Sequence, residues 1–369
     1  MLDPEEMNWR LNRHYNFWGE RYKGEGAYIA VSAPDEIVSA KYDEIKTPKS
    51  LNERWFNIDY RLKRHNYMMN TTYFAGDAIP TVFVDFGPSV LAAFLGAEYR
   101  LDKDTIWFDV NPLINDWSKI PELKINENSE IYKSAMELTH RFCEEALGRY
   151  IVSIIDIGVN LDVLASLRDR EKLLRDIIRR PDVVKEMVSR IDDCWMKLYN
   201  KNNRVISQYM QGVTSWIPLV NKRRWYPLMS EFSAMISPSL FEKIALPALQ
   251  READFLDQAL FNLDGEDQVK LLPKVLEIKG LHSIQWDPVP KFILPLNGVF
   301  KDFDSEISIK VYREIQAAGK KLVIKGIRPE QVEAIFDNIS PDGVFLFVNC
   351  DSRKAADEFL SYARKWIKK

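Results

Sequence analysis

Histidine and cysteine are scarce, with four and three among 369 residues. No H-E-x-x-H, C-x-x-C or Ser-His-Asp set is present, so standard zinc motifs and triad hydrolases have no direct support. Cys143, Cys194 and Cys350 stand far apart. That spacing argues against a disulfide framework and for a reducing, cytoplasmic setting. No apolar run approaches the roughly 20 residues that span a bilayer. The opening MLDPEEMNWR is acidic and polar, unlike a signal peptide. There is no basic excess either. The formal net charge is −3, which argues against nucleic acid or an anionic membrane as the main partner. No G-x-G-x-x-G follows a strand, and a dinucleotide fold loses its main support.

Apolar residues, by contrast, are plentiful. They make up 46% of the chain against 28% charged, enough for a sizeable core and too many for disorder. Residues 1–70 read as a polar, aromatic helical extension, with Asn52 as an N-cap in SLNERWFNIDYRLKRHNYMMN. From 71 to 369 the pattern alternates. Strands are expected in TVFVDFGPS, RYIVSIIDIG, GVTSWIPLV, ALFNLD, LHSIQWD, KLVIKG and GVFLFVN, with an eighth in KFILPLNG or near the N-terminus. Helical periodicity lies between them, broken at Pro181 and restarted at Ser237-Pro238. Continuous apolar strands separated by helices predict a parallel sheet covered on both faces. Eight such units predict a (β/α)8 TIM barrel with the N-terminal extension packed on it.

In such a barrel the chemistry sits at the C-terminal ends of the strands. Those ends offer Asp85, Asp156, Asn160, Trp216, Asn262, Asp264, Gln285, Trp286, Asp287, Lys325, Asn349, Cys350 and Asp351. Structural roles compete for each: Asp264 before Gly265 can cap a helix, Asp85 before Gly-Pro can form a turn, and Cys350 can be a small buried hydrophobe. His14, His65, His140 and His282 all lie away from these ends and read as structural or surface groups.

Three segments carry a resemblance. GVNLDVLASLRDREKLLRDIIRRPDVVKEMVSRI, SPSLFEKIALPALQREADFL and FAGDAIPTVFVDFGPSVLAAFLGAEY occur in the order seen in the uroporphyrinogen decarboxylase superfamily, which the chain resembles from about residue 70 onward. The superfamily includes zinc-dependent methyltransferases that move methyl groups between corrinoid proteins and thiols such as coenzyme M. The resemblance implies a TIM barrel with a deep pocket. In the methyltransferase branch a His-x-Cys-Gly strand end and a later Cys bind zinc. Here they are matched by Asn262-Leu263-Asp264-Gly265 and by Cys350. The implied metal set is Asp264 and Cys350, with Glu231 as a further carboxylate; Asn262 is a poor zinc ligand. The decarboxylase branch needs an Arg-Gln-Ala-Gly-Arg segment, which is absent; Asp85 matches its Asp, but Leu167 stands near its Tyr position. Uroporphyrinogen decarboxylation itself is not expected.

Three readings stay open. In the first, a methyltransferase-like enzyme acts on a small substrate or works with a separate corrinoid protein. Asp85, Asp264 and Cys350 are then catalytic, and Asn160, Trp216, Tyr226, Asn262, Gln285 and Trp286 contact substrate. In the second, Asp85 and Asp264 share the proton work of a metal-free lyase or decarboxylase. The third is a non-catalytic binding barrel. A homodimer is compatible with all three.

Overall fold

The computed structural model describes residues 2–20, 24, 26–43, 45–108, 110–120, 122–288, 290–294 and 298–367. Its strands are β1 (Tyr28–Pro34), β2 (Thr72–Gly76), β3 (Thr81–Val82), β4 (Arg100–Leu101), β5 (Ile106–Trp107), β6 (Ile151–Val152), β7 (Trp225–Leu228), β8 (Gln258–Asp264), β9 (Leu281–Asp287), β10 (Pro290–Leu294), β11 (Gly298–Lys301), β12 (Lys321–Ile327) and β13 (Val344–Asn349). A seven-stranded sheet runs in the order β2-β1-β13-β12-β9-β8-β7, and β3 pairs with β6 outside it. Every pairing in the large sheet is parallel except β1 with β2. The mixed α/β class with a parallel sheet is therefore as expected.

The best-defined strands are those the sequence marks most plainly. VFLFVN and KLVIKGI are β-branched and aromatic, and their central residues are buried, as suits strands covered on both faces. Helices between them start at serine caps: Ser237, Ser305 and Ser352 each accept a backbone N–H three residues on, which satisfies one orphan donor of the first turn. The break at Pro181 falls where read, between helices Arg170–Arg179 and Pro181–Ile206. A proline at the first helical position costs no hydrogen bond there.

Four details differ from expectation. Residues 1–70 are not helical throughout. Tyr28–Pro34 lies inside the large sheet beside β13 and is the strand allowed for near the N-terminus; YIAVSAP is apolar but for Ser32, and it sits between the helices Pro4–Phe17 and Ile58–Thr71. Ser50, rather than Asn52, caps the helix Leu51–Phe56. GVTSWIPLV forms only isolated bridges, Ser153–Thr214 and Val213–Asn221. The strand is Trp225–Leu228 instead, disguised by Pro227; it lies at the edge of the large sheet, where a missing N–H is tolerated. Finally, KFILPLNG contributes to β10, which pairs antiparallel with β11 outside the large sheet; its residues 295–297 lie outside the described residues.

No helix among the described residues is long and apolar enough to cross a membrane.

Candidate functional site

Two register pairs build the floor of the site. Asn262 lies opposite Gln285, and Asp264 opposite Asp287, across β8 and β9. Side chains alternate along a strand, so these four share one face. Leu263 and Trp286 take the other. Trp286 is buried there, and its indole Nε1 donates to Ser308 Oγ at 2.8 Å in the helix Glu306–Ala317. It is a strut to the helix layer, and the expectation that it walls a pocket is corrected by strand parity.

A third wall comes from the turn after β7. Asp162, in the first turn of helix Asn160–Arg168, accepts the backbone N–H groups of Glu231 (3.0 Å) and Phe232 (2.8 Å). These bonds fix the 3-10 turn Glu231–Met235 and bring Glu231 toward β8. The result is a cavity of about 420 Å³ lined by Asp162, Glu231, Asp264 and Arg170, with Trp107, Phe108 and Phe232 as aromatic surface. Behind it, Asp287 is ion-paired with Lys301.

The carboxylates repel one another. Burial, then Glu231 and Asp287, push Asp264 up to about 6, against Lys301. Asp156 rises to about 7 through burial, with Asp85 and Glu231 adding repulsion while backbone N–H groups of Ser89 and Gly158 oppose it. Burial raises Asp162 to about 6, against the backbone N–H groups of Phe232 and Glu231 and then Arg170, with Asp264 adding repulsion. Burial and then Asp162 and Asp287 raise Glu231 to about 7, with Arg170 opposing. Glu231 keeps surface open to the water of the cleft, which tempers its rise. Such a set holds protons near neutral pH and can give or take them.

The other expected site residues divide. Asn262 and Gln285 are buried on the cavity-side face, and neither side-chain oxygen has a partner. Asp85 forms a turn, its carboxylate accepting the N–H of Gly87 at 2.8 Å. It still contributes to the field at Asp156. Asn160 is buried with its amide turned to Glu252, away from the cavity. Tyr226 is fully buried; its hydroxyl donates to Ile155 O and accepts from Ile157 N–H, tying β7 to the segment after β6, so it has no free polar tip for a substrate. Trp216 packs edge-on against Tyr226, and its carbonyl accepts Lys325 Nζ at 2.8 Å.

Cys350 is not brought to this set. Asn349 shares a face with Ser32, their side chains 3.0 Å apart, and both line a second cavity of about 240 Å³ between β1, β12 and β13. Cys350 comes one residue later and is buried. Its thiol is pushed up to about 11 by burial and then by Asp351 and Glu330, so it stays protonated and weakly nucleophilic. Among the described residues no group of three His, Cys, Asp or Glu can hold a metal ion. The implied zinc set therefore does not fit. The histidines are structural or peripheral as read: His14, His65 and His282 are largely buried, and their acids are depressed to about 4, 3 and 3, chiefly by burial.

Asp162, Arg170 and Gln268 escaped sequence reading. Asp162 looked like ordinary first-turn acid in a helix, and nothing local shows that it clamps a turn 70 residues away.

No family model matches the chain, and no curated protein does. Among solved structures, a methyltransferase from Methanosarcina mazei is similar over 97% of this chain and 98% of its own, with a TM-score of 0.59 and 12% identity. The chain has the fold of that methyltransferase. At this identity the likeness concerns the fold alone.

Proposed function

We propose that the chain is a methyltransferase-like enzyme of the uroporphyrinogen decarboxylase superfamily, built on a closed (β/α)8 barrel. It acts on a small methylated substrate and passes the methyl group to a separate corrinoid protein. Closure is supported by the parallel Ser153–Thr214 bridge, which ties the segment after β6 to the segment before β7. The observation that carries the functional reading is the meeting of Asp264 and Glu231, both inclined to hold protons, in an open cavity at the C-terminal end of β8.

A heteroatom that loses a methyl cation keeps the bonding electron pair. A neutral ether or thioether then needs a proton, which Asp264 or Glu231 in its acid form supplies; an amine that arrives protonated leaves as the neutral amine and needs none. Arg170 and Lys301 favour the carboxylate form of these acids. The corrinoid, on its own protein, would supply the nucleophile that receives the methyl group. No step is assigned to zinc, because Cys350 and Asp264 are not gathered into one set.

The test combines the purified chain, a reduced corrinoid protein and a panel of methylated amines, ethers and thioethers, read by the corrinoid's visible absorption. Donor-dependent change is expected, slowed by about 100-fold in Asp264→Asn, the usual worth of a general acid. No change with any donor would remove the reading. The carboxylate cluster without a metal set also favours a second reading, a metal-free lyase or decarboxylase on a small substrate; release of carbon dioxide from a carboxylate substrate, lost in the same variant, would select it. Binding without turnover of either kind would leave a non-catalytic barrel.

A further inference from the structure

The cavity around Asp264 is walled by acceptors. Asp162, Glu231 and Asp264 face it with Arg170 as the lining cation. Asp287 beyond is paired with Lys301, Lys325 adds positive charge near Asp287, and Asp156 feels the charges of both Asp85 and Glu231. A second observation does not involve carboxylates. Gln268 lines the same cavity, is 1% exposed, and its Oε1 has no partner. One step deeper along β8 and β9, the side-chain oxygens of Asn262 and Gln285, 7% and 2% exposed, are also unpartnered. Buried acceptors of this kind call for a donor, and an ionised carboxylate has none to give. Trp107, Phe108 and Phe232 add ring faces, which attract cations and cover alkyl carbon.

We infer that this cavity binds a small protonated amine carrying alkyl groups, with its N–H directed to the free amide and carboxylate oxygens, its charge set against Asp264 and Glu231, and its carbons on the aromatic wall. An anion would meet three carboxylates at one arginine and be repelled. The amine's role as methyl donor rests on the proposed function; its binding does not. Because the facing acids are raised by burial and by one another, an arriving cation releases protons from them, and affinity strengthens as pH rises from about 5.5 to about 7.5.

Calorimetry on the full chain tests this with trimethylammonium chloride as the probe. Tetramethylammonium, which lacks the N–H, and isobutyrate, an anion of similar size, are the comparisons. Trimethylammonium is expected to bind with proton release, and Asp264→Asn, Glu231→Gln and Gln268→Leu each to weaken it by about tenfold, a lost charged or neutral hydrogen bond. Thermal melts of the three variants establish that they are folded, so that weakened binding is read at the site. Isobutyrate binding as well as the amine, or tetramethylammonium binding equally, would overturn the inference. Amine binding with no methyl transfer from any donor of the panel would leave it standing and remove the proposed function. Methyl transfer from a neutral donor with no amine binding would do the reverse.

Discussion

The two ends of the large sheet bury titratable groups in opposite ways. At the N-terminal end of β12, Lys321 is 3% exposed and donates to Phe17 O and Gly19 O. Nearby, His14 is fully buried with both ring nitrogens engaged: one lies 2.8 Å from Asp77 O, the other accepts Val220 N–H at 3.1 Å. That pairing fixes a neutral ring, donating at Nε2 and accepting at Nδ1. At the C-terminal ends of β8 and β9 the buried or half-buried groups face others of the same kind. Carboxylates meet carboxylates, and the oxygens of Asn262, Gln285 and Gln268 meet nothing. His282 and Ser283, at the start of β9, hold unpartnered polar atoms as well; what sets the C-terminal end apart is the open cavity beside its unpartnered oxygens.

The largest break in this contrast comes from removing both cavity acids. Asp264→Asn with Glu231→Gln should lower turnover by about 100-fold to 10,000-fold, the range of general acid–base loss, while the melting temperature holds or rises, because two mutually repelled groups are gone. A rate measurement beside a melt separates the two effects.

Next is His14→Leu, which strands Asp77 O and Val220 N–H in the core. A loss of about 3 kcal/mol is expected from unsatisfied buried groups, seen by denaturant unfolding, with activity per folded molecule unchanged.

The ends should also answer pH in opposite senses. His14, His65 and His282 have folded-state values below the ordinary 6.5, so the stability they give is present above about 6.5 and is lost as pH falls toward about 4. Asp156 and Asp264 have folded-state values above the ordinary 3.8. Their contribution is present below about 4 and is lost as pH rises toward about 7. Unfolding of Asp156→Asn across that window should show a gain over the wild type that grows with pH; an unchanged pH profile would contradict the burial of Asp156.

The smallest effects are at residues that the tertiary structure turns away. Cys350→Ala should leave turnover unchanged and cost about 1 kcal/mol as a small buried group. Trp286→Phe should lose about 1 kcal/mol with its bond to Ser308 and leave KM unmoved. A large KM change in either would reopen their place in the site.

Much of the architecture was legible in local chemistry. Apolar runs gave β8, β9, β12 and β13, and the Ser237-Pro238 and Pro181 signals gave one helix start and one break. Where a proline interrupted a strand, as in Trp225–Leu228, the local pattern pointed elsewhere; where helices surrounded one, as at Tyr28–Pro34, it left the strand as an alternative without bounds. In the site, Asp264 and Glu231 line one cavity, and Asn262 and Gln285 pair in register on the same strands one step away. Cys350, Trp286, Tyr226 and Asn160 were not placed as read: a strand end says that a polar residue is near the rim, but one step of register decides which side it faces.

The sequence by itself determined the α/β class, most of the elements and the presence of acids at strand ends, because propensity, capping and periodicity act over a few residues. Only the tertiary structure decided that Asp162 clamps the Glu231 turn, that Asp264 meets Glu231 rather than Cys350, and that three amide oxygens are left without donors. Those outcomes depend on the distance and facing of groups far apart in the chain, where burial and Coulomb repulsion act through space.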